Sequence, residues 1–304
     1  MLAVTLMLVD AANLYFRAFY GVPESVASPD GRPINAVRGF LDMTATLIGR
    51  RRPARYVACL DVDWRPAFRV ALVPSYKAHR LAPDGRTEAI PDTLVPQIPV
   101  LLSVLTALGL AVGGAEGFEA DDVIATLAAR DGGPCEIVSS DRDLIALATE
   151  RVRVLYVGRG VARLEELGPD EVRARYGVAP ERYADFAALR GDPSDGLPGV
   201  PGIGAKTAAA LVNRYGAVEQ ILAAAQAGND AFPAGAVTKV LAASEYLAVA
   251  PAVVRGRTDA PVPELDDALP DSPADPVALI ELADRYDLES SINRVLNAIA
   301  RARS

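Results

Sequence analysis

The chain has 304 residues, 51% of them hydrophobic and 23% charged, with 39 Asp plus Glu against 31 Lys plus Arg and a net charge of −8. This composition supports a sizeable core and excludes disordered, collagen-like and coiled-coil classes. A single histidine, His79, and two cysteines, Cys59 and Cys135, without CxxC spacing exclude a disulfide scaffold, so any metal here would be a hard cation held by oxygen.

In chain order, an apolar run over 4–9 ending in Asp10 predicts a first strand. No basic segment precedes it and Asp10 interrupts it, so a signal peptide is not expected and the chain is read as cytoplasmic. Ile34, Val37, Phe40, Leu41, Leu47 and Ile48 recur at helical spacing after Pro33. Residues 56–60 predict a second strand, ending in Asp61. A helix over 94–108, a short strand over 109–114, a helix over 119–130, and strands over 135–138 and 152–157 follow. The apolar stretch 98–115 carries Pro99, Ser103 and Thr106 and reads as a buried helix running into a strand, not as a membrane span. Strands alternating with helices predict βαβ units, a mostly parallel sheet, and an α/β fold covered on both faces.

After about Pro169, helical patterns dominate over 169–176, 180–189, 206–215, 218–225 and 279–300, and no strand is expected. Residues 256–275, rich in Pro and Asp, predict a surface linker. Residues 64–92 break the rhythm. Arg65, Arg69, Lys77, His79, Arg80 and Arg86 alternate with Trp64, Phe68 and Tyr76, and four prolines interrupt long helices. A connection of this length is functional or disordered. Arg65, Arg69 and Arg86 also fit a plain solvated face.

The acids follow a rule. Asp10 and Asp61 end predicted strands, Asp141 and Asp143 follow a third through Ser139-Ser140, and Glu119, Asp121 and Asp122 open a helix. In an open parallel sheet, sites form beyond the carboxyl ends of the strands, so these seven acids are expected to converge. Glu119 and Asp122 share a helix face; Asp121 points elsewhere unless the helix start is irregular. Each acid alone also reads as a helix cap. Together they are costly to gather unless cations neutralise them, and Mg²⁺ or Mn²⁺ suits such a ligand set. Downstream, Gly199 to Lys206 (GVPGIGAK) forms a Gly-rich helix entry suited to a helix–hairpin–helix on a nucleic-acid backbone, and Asp192 and Asp195 lie just upstream.

The words VDAANLYFRAFY (9–20), CLDVDWRPAFR (59–69), SYKAHR (75–80), GFEADDVIATLA (117–128), SSDRDLIAL (139–147) and GDPSDGLPGVPGIGAKTA (191–208) resemble the 5′-nuclease family in family order. That family includes the stand-alone bacterial and phage 5′→3′ exonucleases, the flap endonucleases, and the N-terminal nuclease domain of bacterial DNA polymerase I.

The resemblance implies a PIN-like nuclease core over 1–168 with a helical arch near 64–95, and a helical DNA-binding region over 169–304 containing a helix–three-turn–helix. It implies that Asp10, Asp61, Glu119 and Asp121, with Asp122 beside them, surround one metal ion. Asp141, Asp143, Asp192 and Asp195 surround a second or third. Lys77 and Arg80 would contact the scissile phosphate, Tyr76 would stack on a nucleotide, and Arg17 would lie near the first strand's end. Gly202, Gly204 and Lys206 would bind the duplex beside a K⁺ ion. Asp63 competes with Asp61 because the spacing to SYK differs by about one residue; Asp61 is favoured because it ends the strand directly. Gly196 stands where the family usually has Asn. The implied activity is divalent-metal-dependent 5′→3′ exonuclease and 5′-flap endonuclease cleavage in replication and repair. The expected partner is DNA with flaps, nicks or 5′ ends, or an RNA–DNA hybrid, bound by a monomer at the nucleoid without a membrane. A non-catalytic branched-DNA-binding protein and an RNA-directed nuclease are the rival readings.

Overall fold

The computed structural model describes residues 4–228 and 232–304. Among them, six strands form one sheet: β1 (Leu6–Asp10), β2 (Arg55–Cys59), β3 (Ala111–Gly113), β4 (Cys135–Ser139), β5 (Val152–Tyr156) and β6 (Glu165–Leu167). Their spatial order is β3-β2-β1-β4-β5-β6. All neighbours are parallel except β5 and β6, which are antiparallel. The chain builds outward from β1 through β2 to β3, then returns to place β4 on β1's other side. That puts a topological switch point between β1 and β4, at whose carboxyl ends sites form.

Alternation along the strands explains the layering. Leu6, Leu8, Val57, Ile137 and Val154 face one apolar cluster, while Met7, Val9, Ala58, Val138 and Leu155 face the other. Among the helices packed around the sheet are α1 (Ala11–Gly21), α2 (Asn35–Arg51), α3 (Ala67–Leu72), α4 (Gln97–Leu108) and α5 (Ala120–Asp131). A helical part follows: α6 (Pro169–Tyr176), α7 (Tyr183–Arg190), α8 (Ala205–Tyr215), α9 (Val218–Gln226), α10 (Ala236–Ala242) and α11 (Ser244–Val254). The last two helices are α12 (Pro276–Tyr286) and α13 (Glu289–Arg303). No single described helix is long and apolar enough to cross a membrane.

Several expectations are corrected. α1, α10, α11 and β6 have no counterpart in the sequence reading. The expected helix over 279–300 is two helices, broken where Asp287 adopts a left-handed conformation at φ 53°, which Asp tolerates better than most side chains. The expected linker over 256–275 is a strap. The Tyr56 N–H donates to the Asp267 carbonyl at 2.7 Å, and the Leu269 N–H to the Ala54 carbonyl at 3.0 Å, with Ala260, Val262 and Leu269 buried. The strap carries α12 and α13 back to the sheet layer. There Leu279, Ile292, Val295 and Ile299 share the apolar cluster of Val37, Leu41, Ile48 and Leu105. Residues 276–303 therefore pack with the sheet rather than with the helical part. Finally, residues 64–92 are no continuous helical arch: α3 and one 3₁₀ turn at Ala78–Arg80 are their only helices. The prolines at 66, 74, 83 and 91 account for this.

Candidate metal centre and nucleic-acid interface

Asp10 ends β1 and caps α1, its Oδ1 accepting from the Asn13 N–H at 3.0 Å. Its Oδ2 accepts from the Ser139 hydroxyl at the end of β4 at 2.7 Å, and Ser139 Oγ in turn accepts from the Asp141 N–H at 2.9 Å. Capping and site-building thus coincide, and Ser139 ties the two central strand ends together. In the sequence that serine stands only as the link to Asp141, with nothing to mark its bridging role. Burial, then the charge of Asp61, pushes the Asp10 carboxyl up to about 7. Asp61 accepts from the Ala120 N–H at the start of α5 at 2.7 Å, and burial raises its carboxyl too.

The start of α5 resolves the three acids there. Glu119 is extended (φ −88°, ψ 166°) and forms a capping box with Asp122. Asp122 Oδ2 accepts from the Glu119 N–H at 3.2 Å, and its Oδ1 from the Arg257 N–H and Arg69 Nη2, each at 2.8 Å. Asp122 is thereby left out of the cleft lining while Asp121 joins it, as an irregular helix start allows. Glu119 is 1% exposed. Its carboxylate accepts from Arg69 Nη1, Lys77 Nζ and, at 2.8 Å, the Tyr76 hydroxyl. Burial raises the Glu119 carboxyl to about 8 despite the Lys77 ammonium. Carboxylate oxygens of Glu119, Asp121 and Asp122 lie within 4.8 Å of one another.

A cleft of about 830 Å³ opens at this end of the sheet, lined by Asp10, Asp61, Glu119, Asp121 and Asp141 and by the bases Arg17, Lys77 and Arg80. Phe16, Tyr20 and Glu88 line it as well, and the sequence reading named none of them for the site. Asp63 does not line it and accepts from the Arg65 N–H at 3.1 Å. Asp143, Asp192 and Asp195 do not line the cleft, although their charges are felt there. Burial, then the charges of Asp141, Asp195 and Asp192, raises Asp143. Burial, then Asp141, raises Asp195 to about 6. Asp192 accepts from the guanidinium groups of Arg142 and Arg190 at 2.9 and 3.2 Å.

Two residues of 64–92 depart from expectation. Tyr76 is 3% exposed with its hydroxyl on Glu119, so it offers no free face for stacking. Arg69, for which a solvated face was the plain alternative, is wholly buried against Glu119, Asp121 and Asp122. Lys77 is buried in a left-handed conformation at φ 48°. Burial alone would lower its ammonium, but Glu119 and the neighbouring acids hold it well above the usual lysine range.

The loop carrying Lys77 docks on the turn carrying Asp195. The Lys77 N–H donates to the Asp195 carbonyl at 2.9 Å, and the Ser75 hydroxyl to the Gly196 carbonyl at 2.8 Å. Gly196 has φ +71°, and a Cβ there would lie 2.2 Å from the Ser75 carbonyl oxygen. Gly196→Ala is therefore expected to cost about 1–3 kcal/mol in local docking. Limited proteolysis at 75–80 and 192–197 should become faster while far-UV circular dichroism is kept; unchanged proteolysis would contradict the docking.

Gly202, Gly204 and Lys206 lie outside the cleft lining, exposed around the start of α8. Gly204 is the extended N-cap of that helix. Lys239 Nζ donates to the Gly202 carbonyl at 3.0 Å.

An all-oxygen donor set in which burial raises the carboxyls of Asp10, Asp61 and Glu119 is chemically suited to divalent cations. The family model described as 5′-3′ exonuclease, N-terminal resolvase-like domain, matches residues 5–177, and the 5′-3′ exonuclease, C-terminal SAM fold, matches 178–276. The chain is 51% identical over 309 residues to a 5′-3′ exonuclease of Mycobacterium tuberculosis, covering 97% of each. It is 50% identical to a 5′-3′ exonuclease of Streptomyces coelicolor, covering 96% of this chain and 99% of that one. A DNA polymerase I of Mycobacterium bovis is 43% identical over 72% of this chain but only 24% of its own length. The solved bacteriophage T5 flap endonuclease, in a pseudo-enzyme–product complex with DNA and metal ions, has a TM-score of 0.63 at 18% identity. It covers 99% of this chain and 100% of that one, a likeness of fold.

Proposed function

Because the chain belongs to the 5′-3′ exonuclease family, we propose that its cleft hydrolyses DNA phosphodiesters near 5′ ends, as an exonuclease and as a 5′-flap endonuclease, in replication and repair. The observation that carries this reading is the meeting of acids from separate segments at one sheet end, with Lys77 buried among them. Asp10, Asp61, Glu119 and Asp121 would hold one Mg²⁺ or Mn²⁺, and Asp141, Asp143, Asp192 and Asp195 another. Bound there, such ions supply Lewis-acid activation of water and of the departing oxygen.

The chain's own groups do the rest. Lys77 presents a compact positive charge to the scissile phosphate, and Arg80 and Arg17 orient the strand within the cleft. Exposed backbone around Gly202 and Gly204, with Lys206, grips the duplex backbone without reading sequence. A K⁺ ion at the hairpin would have to compete with the Lys239 ammonium, which already occupies the Gly202 carbonyl. The substrates are flapped, nicked or 5′-ended DNA, with RNA–DNA hybrids included, and the enzyme works as a monomer in the cytoplasm at the nucleoid.

The test is a 5′-flap duplex incubated with Mg²⁺ or Mn²⁺. Cleavage that EDTA abolishes supports the reading; tight branched-DNA binding with no products in either metal would overturn it. Lys77→Met is expected to slow single-turnover cleavage by roughly 10²-fold with flap-DNA binding nearly unchanged. A loss confined to binding would remove Lys77 from the chemistry.

A further inference from the structure

We infer that Arg69 is the positioning residue of the acidic site, a buried guanidinium that fixes how Glu119 and Asp121 face the cleft. The inference rests on the divalent-ion reading above. Arg69 heads the fully buried side chains by size. Its Nε donates to the Val253 carbonyl in α11 at 3.0 Å. Nη1 donates to Glu119 Oε2 and, at 3.3 Å, to Asp121 Oδ1. Nη2 donates to Asp121 Oδ2 at 3.2 Å and to Asp122 Oδ1 at 2.8 Å. A guanidinium has five N–H donors, and these contacts employ all of them. The rings of Phe68 and Tyr76, with centroids 5.3 and 5.7 Å from Arg69 Cζ, complete its surroundings.

The contacts are unequal in a useful way. Asp122 is locked by Arg69, by the Arg257 N–H and by the capping box, so it anchors the guanidinium. Glu119 Oε2 is taken by Arg69 and the Tyr76 hydroxyl, which leaves Oε1, now paired with Lys77, as the oxygen able to turn to an ion. From Arg69, Asp121 receives only long contacts, its one short bond being from the Asp122 N–H at 2.8 Å to Oδ1, and it is the one half-buried acid of the three, so Arg69 steers it without consuming it. Arginine stays protonated, so its charge stays among the acids whatever else enters the cleft. The bond to Val253 also ties the helical part to this geometry.

Arg69→Lys keeps the charge and loses the fork. Mn²⁺ binding to the DNA-free variant, read by isothermal titration calorimetry, is expected to weaken by about tenfold or more. The Mg²⁺ concentration for half-maximal flap cleavage should rise by a similar factor while saturated kcat stays within a few-fold. Should that variant not fold, the charge-balanced pair Arg69→Gln with Asp122→Asn retains a capping amide and should show the same weakening. Wild-type Mn²⁺ affinity in a folded variant, or a fall in kcat without a shift in metal requirement, would overturn the inference alone. A wild-type chain that binds no Mn²⁺ would overturn the divalent-ion reading itself.

Discussion

Asp121→Asn combined with Asp141→Asn is expected to lower single-turnover cleavage of a 5′-flap duplex by at least about 10³-fold, taking roughly 10²–10³ for each preorganised charge removed. The two acids come from different elements, Asp121 from the start of α5 and Asp141 from just past β4, and both line the cleft. Asparagine keeps their local backbone duties. Asp141 Oδ1 accepts from the Asp143 N–H at 2.9 Å, and Asp121 Oδ1 from the Asp122 N–H at 2.8 Å. An amide oxygen can do the same, so the fold should survive. Two like charges also leave a crowded site, which relieves repulsion. The thermal midpoint in EDTA should therefore hold or rise, and flap-DNA binding in EDTA should hold or tighten. Cleavage within tenfold of wild type would reject the hydrolytic centre; lost activity with a lower midpoint would point to misfolding instead.

Legibility in the sequence divides along physical lines. Asp10, Asp61 and Asp141 were readable because a strand end is a local signal and parallel topology turns it into a position in space. Within Glu119-Ala120-Asp121-Asp122 the structure puts Glu119 and Asp121 in the cleft lining, the pair the resemblance implied, whereas regular helical spacing alone would have paired Glu119 with Asp122. Helical spacing applies only once the helix has begun, and Glu119 is the cap before it, with Asp122 spent on the capping box. Arg69 could not be recognised at all. It stands in a run of bases and aromatics whose pattern fits an exposed face, and only tertiary packing with α5 and α11 buries it. The strap was misread for a related reason. Pro and Asp are loop signals, but β3 is three residues long and pairs with β2 only from Val57 onward. The open edge at Arg55 and Tyr56 is filled by Asp267, whose carboxylate also meets the Arg55 guanidinium at 2.7 Å. The α10–α11 pair went unpredicted although Val240, Leu247, Ala250 and Val254 are buried at helical intervals; Pro251 within α11 weakens that signal.

The crowding of carboxylates also predicts how stability follows pH. Asp10 titrates near 7 and Glu119 near 8 in the folded chain, each raised first by burial, against about 3.9 and 4.3 for unperturbed side chains. The native state therefore binds more protons than the unfolded state between roughly pH 4 and 8, and the slope of stability against pH is negative there. The contribution is complete below the unfolded values and gone once pH passes the folded ones. Each group so raised accounts for about 1.4 kcal/mol per pH unit across its window. In EDTA the denaturation midpoint should fall steadily from about pH 5 to pH 8. A divalent ion binds the deprotonated carboxylates of the native state, so it competes with those protons and stabilises most where they have left. With saturating Mg²⁺ or Mn²⁺ the curve should flatten, the gain over EDTA being small near pH 5 and largest near pH 8. Urea titrations across that range, with and without metal, measure both limbs. A midpoint in EDTA that rises toward pH 8, or a metal gain that does not grow with pH, would mean that the buried acids are not the groups awaiting a cation.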